Sequence, residues 1–312
     1  MVIGIGETIL DIIFRNDQPQ AAVPGGSTFN AIISLGRVGV PATIVTETGD
    51  DHVGDLIVRY LVENGVDASY VSRNKGTKSH VSLAFLDENN DAQYQFYKDH
   101  AHACIADKMP QMTADDVVLF GSFFAVNPVI RERVVAMLRK ANSAGVFMYY
   151  DVNFRPSHIA EIPMIMDNIN ENMSMASVVR GSLDDFRYLY GTDDVDVIYE
   201  KHILPYCPYF ICTNGAEPIE LRTPTLRLSF PARQVKTVST VGAGDNFNAG
   251  FIYGLMALSP TLILPEGRRE LKGFVSEQWA QLIAYGQMFS SDVCQSLGNS
   301  VTEAVVSKLI ES

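Results

Sequence analysis

The chain has 312 residues, 24 Lys plus Arg against 36 Asp plus Glu, and a net charge of −12. That balance excludes a protein whose affinity rests on counterion release from a nucleic-acid backbone, and it disfavours docking to an anionic membrane surface. Hydrophobic residues make up 47% and charged residues 19%, a globular composition that is neither disordered nor membrane-integral. At this length folding buries about 75% of the unfolded surface, so a full core forms without disulfide or metal staples. The four cysteines, Cys104, Cys207, Cys212 and Cys294, include no C-x-x-C pair, and a reducing, cytoplasmic compartment is expected.

From the N-terminus, Met1 to Phe14 is apolar but carries Glu7 and Asp11 and no basic leader, so it reads as core strand rather than signal peptide. Val2 to Gly6, Ala42 to Glu47, Val117 to Gly121, Val146 to Asp151, Ser177 to Arg180 and Tyr209 to Thr213 are short runs with the character of buried strands. Val53, Leu56, Ile57, Tyr60 and Leu61 form a helical stripe, as do Ile130, Val134, Met137, Leu138 and Ala141. Gly65 and Gly145 follow those stripes, where a left-handed residue ends a helix. This β-α-β rhythm predicts an α/β fold with a mainly parallel sheet flanked by helices.

One segment breaks the rhythm. Val81, Leu83 and Phe85, a polar turn over Asp87 to Asp91, then Tyr94 and Phe96 predict a β-hairpin inserted as a lid or dimer clasp. Residues 246 to 265 carry no charge, but Gly250, Gly254, Ser259 and Pro260 interrupt them, so a buried helix and loop is expected rather than a membrane span. No fixed-period repeat or Pro/Ser linker occurs, and the expected organisation is one domain, 1–312, with a lid from about 11–23 and 79–99.

The chemistry concentrates in Ser239 to Gly250, where Gly242, Ala243, Gly244 and Asp245 lead into a helix with apolar Phe247, Phe251, Ile252 and Leu255. Backbone N–H groups at such a junction, aided by the helix dipole, make an anion hole. A carboxylate there would repel phosphate as a binder but serves as a base for an attacking hydroxyl; it also serves as a simple helix cap. Gly25-Gly26-Ser-Thr-Phe-Asn30 is a second glycine turn into a helix, where bare backbone admits a polyol and Asn30 can give and accept hydrogen bonds. No third glycine follows Gly4-x-Gly6 at a dinucleotide-binding offset, and no Walker-type loop is present.

The Ser239–Gly250 segment resembles the second signature of the ribokinase, or PfkB, family of carbohydrate kinases, and Gly25 to Gly49 resembles the first, with departures at Thr28 and Ile32. The resemblance implies a ribokinase-like fold with a small β-sheet lid and an ATP-dependent sugar kinase acting on a primary hydroxyl, fructose first. It implies Asp245 as the catalytic base and Gly242, Ala243 and Gly244 as the anion hole. Asp11, Gly25, Gly26, Asn30, Lys98, Asn153 and Arg155 would contact substrate, the last two from Asp151-Val-Asn153-Phe-Arg155-Pro156, a fructokinase-like segment. Thr213, Asn214 and Gly215 would contact nucleotide. The family's Asn-x-x-Glu is replaced by Ser182-Leu-Asp184-Asp185, so Asp185 is the candidate for holding Mg2+ through water. ATP and Mg2+ are expected, a monovalent cation is a further candidate, and the lid suggests a homodimer. A catalytically inactive sugar-binding regulator, a nucleoside kinase using Phe29 or Phe123, and a keto-deoxy sugar acid kinase are the alternatives.

Overall fold

The computed structural model describes residues 1–86, 92–97, 108–257 and 271–310. It divides into two compact units: residues 2–110, 235–250 and 288–312 in one, and residue 1 with 111–234 and 251–287 in the other.

In the first unit β1 (Val2–Ile5) is fully buried and pairs in parallel with β4 (Ala42–Gly49), which in turn takes β5 (Val66–Asp67) and β6 (Val71–Asn74) in parallel. Helices α1 (Ser27–Arg37) and α2 (His52–Glu63) pack on these strands. A separate four-stranded sheet has the order β3 (Gln18–Gly25), β2 (Ile9–Arg15), β7 (Val81–Leu86), β8 (Ala92–Tyr97). The hairpin expected near residue 81 is its antiparallel β7–β8 pair; the turn over 87–91 lies outside the described residues. On β7 the small Ser82 and Ala84 are buried, whereas Val81, Leu83 and Phe85 are only half-buried. The bulky side chains therefore line the opposite face of this sheet from its most buried side.

The second unit carries β9 (Val117–Gly121), β10 (Phe147–Asp151), β11 (Val178–Ser182) and β12 (Phe210–Asn214), all parallel, with β13 (Glu217–Arg222) and β14 (Arg227–Phe230) added antiparallel. Five buried residues in each of β9 and β10 explain why these runs read as strands without alternation: both faces are covered. Short α3 (Ser122–Val126) follows β9, and α4 (Arg131–Ser143) and α5 (Ile162–Met175) pack on β10. Gly65 and Gly145 take φ +74° and +73°, as their positions after helices require.

The remaining helices are α6 (Leu183–Tyr190), α7 (Val195–Ile198), α8 (Ala243–Ala257), α9 (Ser276–Val293) and α10 (Glu303–Ile310). The uncharged run from 246 is thus the body of α8; residues 258–265 lie outside the described set. Among the described residues no helix is long and apolar enough to cross a membrane. The fold class expected from the sequence, a mostly parallel α/β sheet with helices and a separate small sheet, is the one observed.

Candidate functional site

Both glycine signatures belong to the first unit, and α1 and α8 bring them together. Asp245 lies in the first turn of α8 and Asn30 in the first turn of α1. Asn30 Nδ2 donates to Asp245 Oδ2 at 2.8 Å, with the residues 4% and 8% exposed. This charge-assisted bond fixes one carboxylate oxygen. Asn30 Oδ1 is buried with no partner among the described residues.

One turn further along α1, Ser34 donates through Oγ to Asn246 Oδ1, and Asn246 Nδ2 donates to the carbonyls of Gly242 and Asn299, both at 2.8 Å. The N–H of Val301 closes the set on Ser34 Oγ at 3.1 Å. Three segments distant in sequence are thereby locked around the start of α8.

The turn before α8 needs Gly242, whose φ is +78°. Its geometry alters one expectation. Ala243 N–H donates to the Thr240 carbonyl at 3.2 Å, because the turn tightens on itself before the helix begins. Among the described residues the N–H groups of Gly242 and Gly244 meet no acceptor, so two amides of the expected three are open in this conformation.

At the start of α1, Gly26 has φ +120°, and a Cβ there would overlap the Glu7 carbonyl oxygen. A Cβ on Gly25 would overlap Asp11 Oδ2 and sit 3.2 Å from Asn299 Nδ2. Asp11, on β2, is buried and accepts from Ser82 Oγ through Oδ1. Thr28 and Ile32, larger than the family pattern prefers, pack where Cβ atoms on Gly4 and Gly6 would be. The Gly4-x-Gly6 pair, set aside as a dinucleotide signal, makes room for those two departures.

In the second unit Asp151 ends β10, Arg180 stands opposite it in the middle of β11, and Thr213 is next to last on β12. Arg180 donates to Asp151 Oδ1 at 3.0 Å and to Thr213 Oγ1 at 2.6 Å. Arg180 and Asp151 are both buried, an ion pair the sequence reading did not anticipate, its only signal being a cation ending a predicted strand. Thr213 thus spends its hydroxyl inside the fold, while Asn214 and Gly215 are exposed. Asn153 adopts φ +38° and Arg155 is exposed.

Ser182 and Asp185 form a capping box at the start of α6: the Ser182 N–H donates to Asp185 Oδ2 at 2.7 Å and the Asp185 N–H to Ser182 Oγ at 3.2 Å. Burial pushes the Asp185 carboxyl up to about 6, against the pull of that Ser182 N–H. Among the described residues no three His, Cys, Asp or Glu side chains converge to hold a metal. A lone carboxylate fits Mg2+ held through water, since Mg2+ keeps much of its hydration and takes its other ligands from phosphates. Lys98 lies outside the described residues.

The sequence profile of pfkB family carbohydrate kinases matches residues 2–303. The chain belongs to that family. As a pfkB carbohydrate kinase it is a phosphotransferase with a sugar hydroxyl as acceptor. It is 27% identical over 264 residues to a fructokinase of Rhizobium leguminosarum bv. trifolii, covering 82% of this chain and 79% of the relative. It is 26% identical over 255 residues to an aminoimidazole riboside kinase of Salmonella typhimurium, covering 80% and 79%. Among solved structures, a Vibrio cholerae fructokinase with fructose, ADP and calcium bound superimposes with a TM-score of 0.80 at 18% identity, covering 99% of this chain and 98% of that one. At that identity the likeness speaks for the fold.

Proposed function

We propose that this pfkB kinase transfers the γ-phosphoryl group of ATP to a primary hydroxyl of a monosaccharide, with D-fructose as the first acceptor to test. The observation that carries the proposal is the buried Asn30–Asp245 pair at the mouth of a glycine turn with open amides. A carboxylate with one oxygen held by an amide keeps the other oriented to accept the hydroxyl proton. Relatives named as fructokinases favour fructose.

In this reading Asp11, Gly25, Gly26 and Asn30 orient the sugar, the bare glycines letting its carbon skeleton approach the backbone, and Lys98 is a further sugar or lid contact. Asp245 takes the proton as the new O–P bond forms. The N–H groups of Gly242 and Gly244 stabilise the phosphoryl oxygens, joined by Ala243 only if its bond to Thr240 opens. Asn153 and Arg155 are proposed to face phosphate or sugar, and Asn214 and Gly215 to border the nucleotide, with Thr213 supporting them through Arg180. Magnesium, held through water by Asp185, would neutralise charge along the phosphates when bound.

The proposal includes self-association through the small sheet. Phe14 and Phe85 stack with ring centroids 5.0 Å apart on the face that leaves Leu83 and Val81 half-buried. A nucleoside acceptor is the weaker reading, because Phe29, one of the two rings available for a base, is fully buried against Tyr60.

The test is a panel of ketoses, aldoses, sugar acids and nucleosides with magnesium and ATP, scored by ADP release and product mass. Fructose gaining one phosphoryl group supports the proposal. Sugar binding without any product identifies the regulatory alternative instead.

A further inference from the structure

Asn299 is 3% exposed, and both its side-chain amide atoms, Oδ1 and Nδ2, lack a hydrogen-bond partner among the described residues. The donor and the acceptor capacity of this amide are both unused within the fold. A buried amide left unpaired costs free energy, and folded chains retain few of them. Nor can the loop drift to relieve it. The Asn299 carbonyl is held by Asn246 at 2.8 Å, and the N–H of Val301 by Ser34 at 3.1 Å.

The amide lines a cavity of about 10 Å3 that also takes in Asp11, Ser239 and Leu297. That is the room needed for roughly one water or one hydroxyl group. Gly25 connects the two polar walls: a Cβ there would overlap Asp11 Oδ2 and touch Asn299 Nδ2. The amide and the carboxylate thus converge on one bare stretch of backbone. Much of the remaining lining is apolar, including Ile13, Ala84 and Val241, so the side-chain partners for a polar guest are Asn299, Asp11 and the Ser239 hydroxyl.

We propose that Asn299 is a binding residue for one hydroxyl group of the acceptor, engaging it together with Asp11. The inference rests on the sugar-kinase reading above and deepens it: the acceptor carries a hydroxyl that the amide can both donate to and accept from. No motif drew attention to Gly298-Asn299-Ser300; the unpaired amide did. The pattern also accounts for an unstable choice, since a binding site holds polar groups ready that folding alone would eliminate.

The experiment compares wild type with Asn299→Ala and Asn299→Ser. Fructose affinity is measured by calorimetry, thermal midpoints without sugar, and binding and turnover with the monodeoxy fructose series. The expected result has three parts. Sugar affinity and KM weaken about tenfold or more while kcat stays within about threefold. The sugar-free midpoint is unchanged or higher, because an unsatisfied amide has been removed. One deoxy analogue binds wild type about as weakly as fructose binds the alanine variant, and that variant no longer distinguishes the two, the non-additivity expected of direct partners.

Fructose binding within twofold of wild type in both variants overturns the inference and leaves the cavity to a structural water. So does a midpoint several degrees lower in both, which marks a packing role. Binding by wild type without phosphorylation defeats the kinase assignment alone, and the deoxy series still decides on Asn299. Wild type that binds no sugar of the panel overturns both.

Discussion

Replacing Asp245 by Asn separates proton acceptance from folding, because the two side chains have nearly the same shape. The Asn30 Nδ2 bond at 2.8 Å would change from charge-assisted to neutral, a loss of about 1 kcal/mol. Relief of a carboxylate that is only 8% exposed offsets part of this. For a chain of this length 1 kcal/mol moves the midpoint by roughly 2 °C. Loss of a general base lowers turnover by about 10²- to 10⁴-fold, or about 3 to 5 kcal/mol in the barrier. The asymmetry is the test: a coupled ADP assay at saturating fructose and magnesium-ATP should fall by at least two orders of magnitude, with KM for fructose nearly unchanged and the melt displaced by no more than a few degrees. Turnover within tenfold of wild type in a folded variant refutes Asp245 as the base. A melt lowered by more than 10 °C would instead make the carboxylate a structural element of α8.

Three further outcomes follow from other parts of the molecule. Arg180→Ala removes the cation paired with the buried Asp151 carboxylate and should lower stability by about 3 to 5 kcal/mol in urea unfolding; a loss under 1 kcal/mol would mean that this pair is not what compensates the Asp151 charge. The Asp185 carboxyl, raised from 3.8 to about 6, binds its proton more tightly folded than unfolded. Its contribution is therefore full below pH 3.8 and disappears as the pH rises through 6. Asp185→Asn should accordingly gain about 1 kcal/mol relative to wild type between pH 5 and 7.5, and parallel pH profiles would contradict this. Burial pushes the Cys207 and Cys212 thiols up to about 12, so both should resist a thiol reagent at pH 8 until denaturant is added; rapid labelling of either in the folded protein would expose an error in their placement.

Much of the scaffold was readable because its periodicities are strong. Val117 to Gly121 is a strand in both readings with the same ends, since a run buried on both faces has no competing pattern. The helices before Gly65 and Gly145 ended where a left-handed residue allows. The burial of the small sheet was less accessible: alternation identifies two faces of β7 but does not say that Ser82 and Ala84 occupy the more covered one. Asp185 shows a competition between signals, because Ser-x-x-Asp before an apolar helix is also a capping pattern, and the structure uses it as one. The amide count at Gly242 to Gly244 depended on how tightly one turn closes, which composition does not determine. Asn299 was invisible for a simpler reason: an unpaired amide is a property of surroundings supplied by Asn246, Gly25 and Asp11, none of them near it in sequence.

The lock around α8 joins Ser34, Asn246, Asn299 and Val301, so it cannot be completed during most of synthesis. Ribosomes add about 5 to 20 residues per second, and the strands of the second unit emerge long before the loop at 298–301 does. A nascent chain could pair those strands early yet lack this lock until translation is almost over. A premature stop just ahead of Gly298 would spare Asp245 and both glycine signatures and still yield a polypeptide without the Asn299 and Val301 bonds that complete the lock.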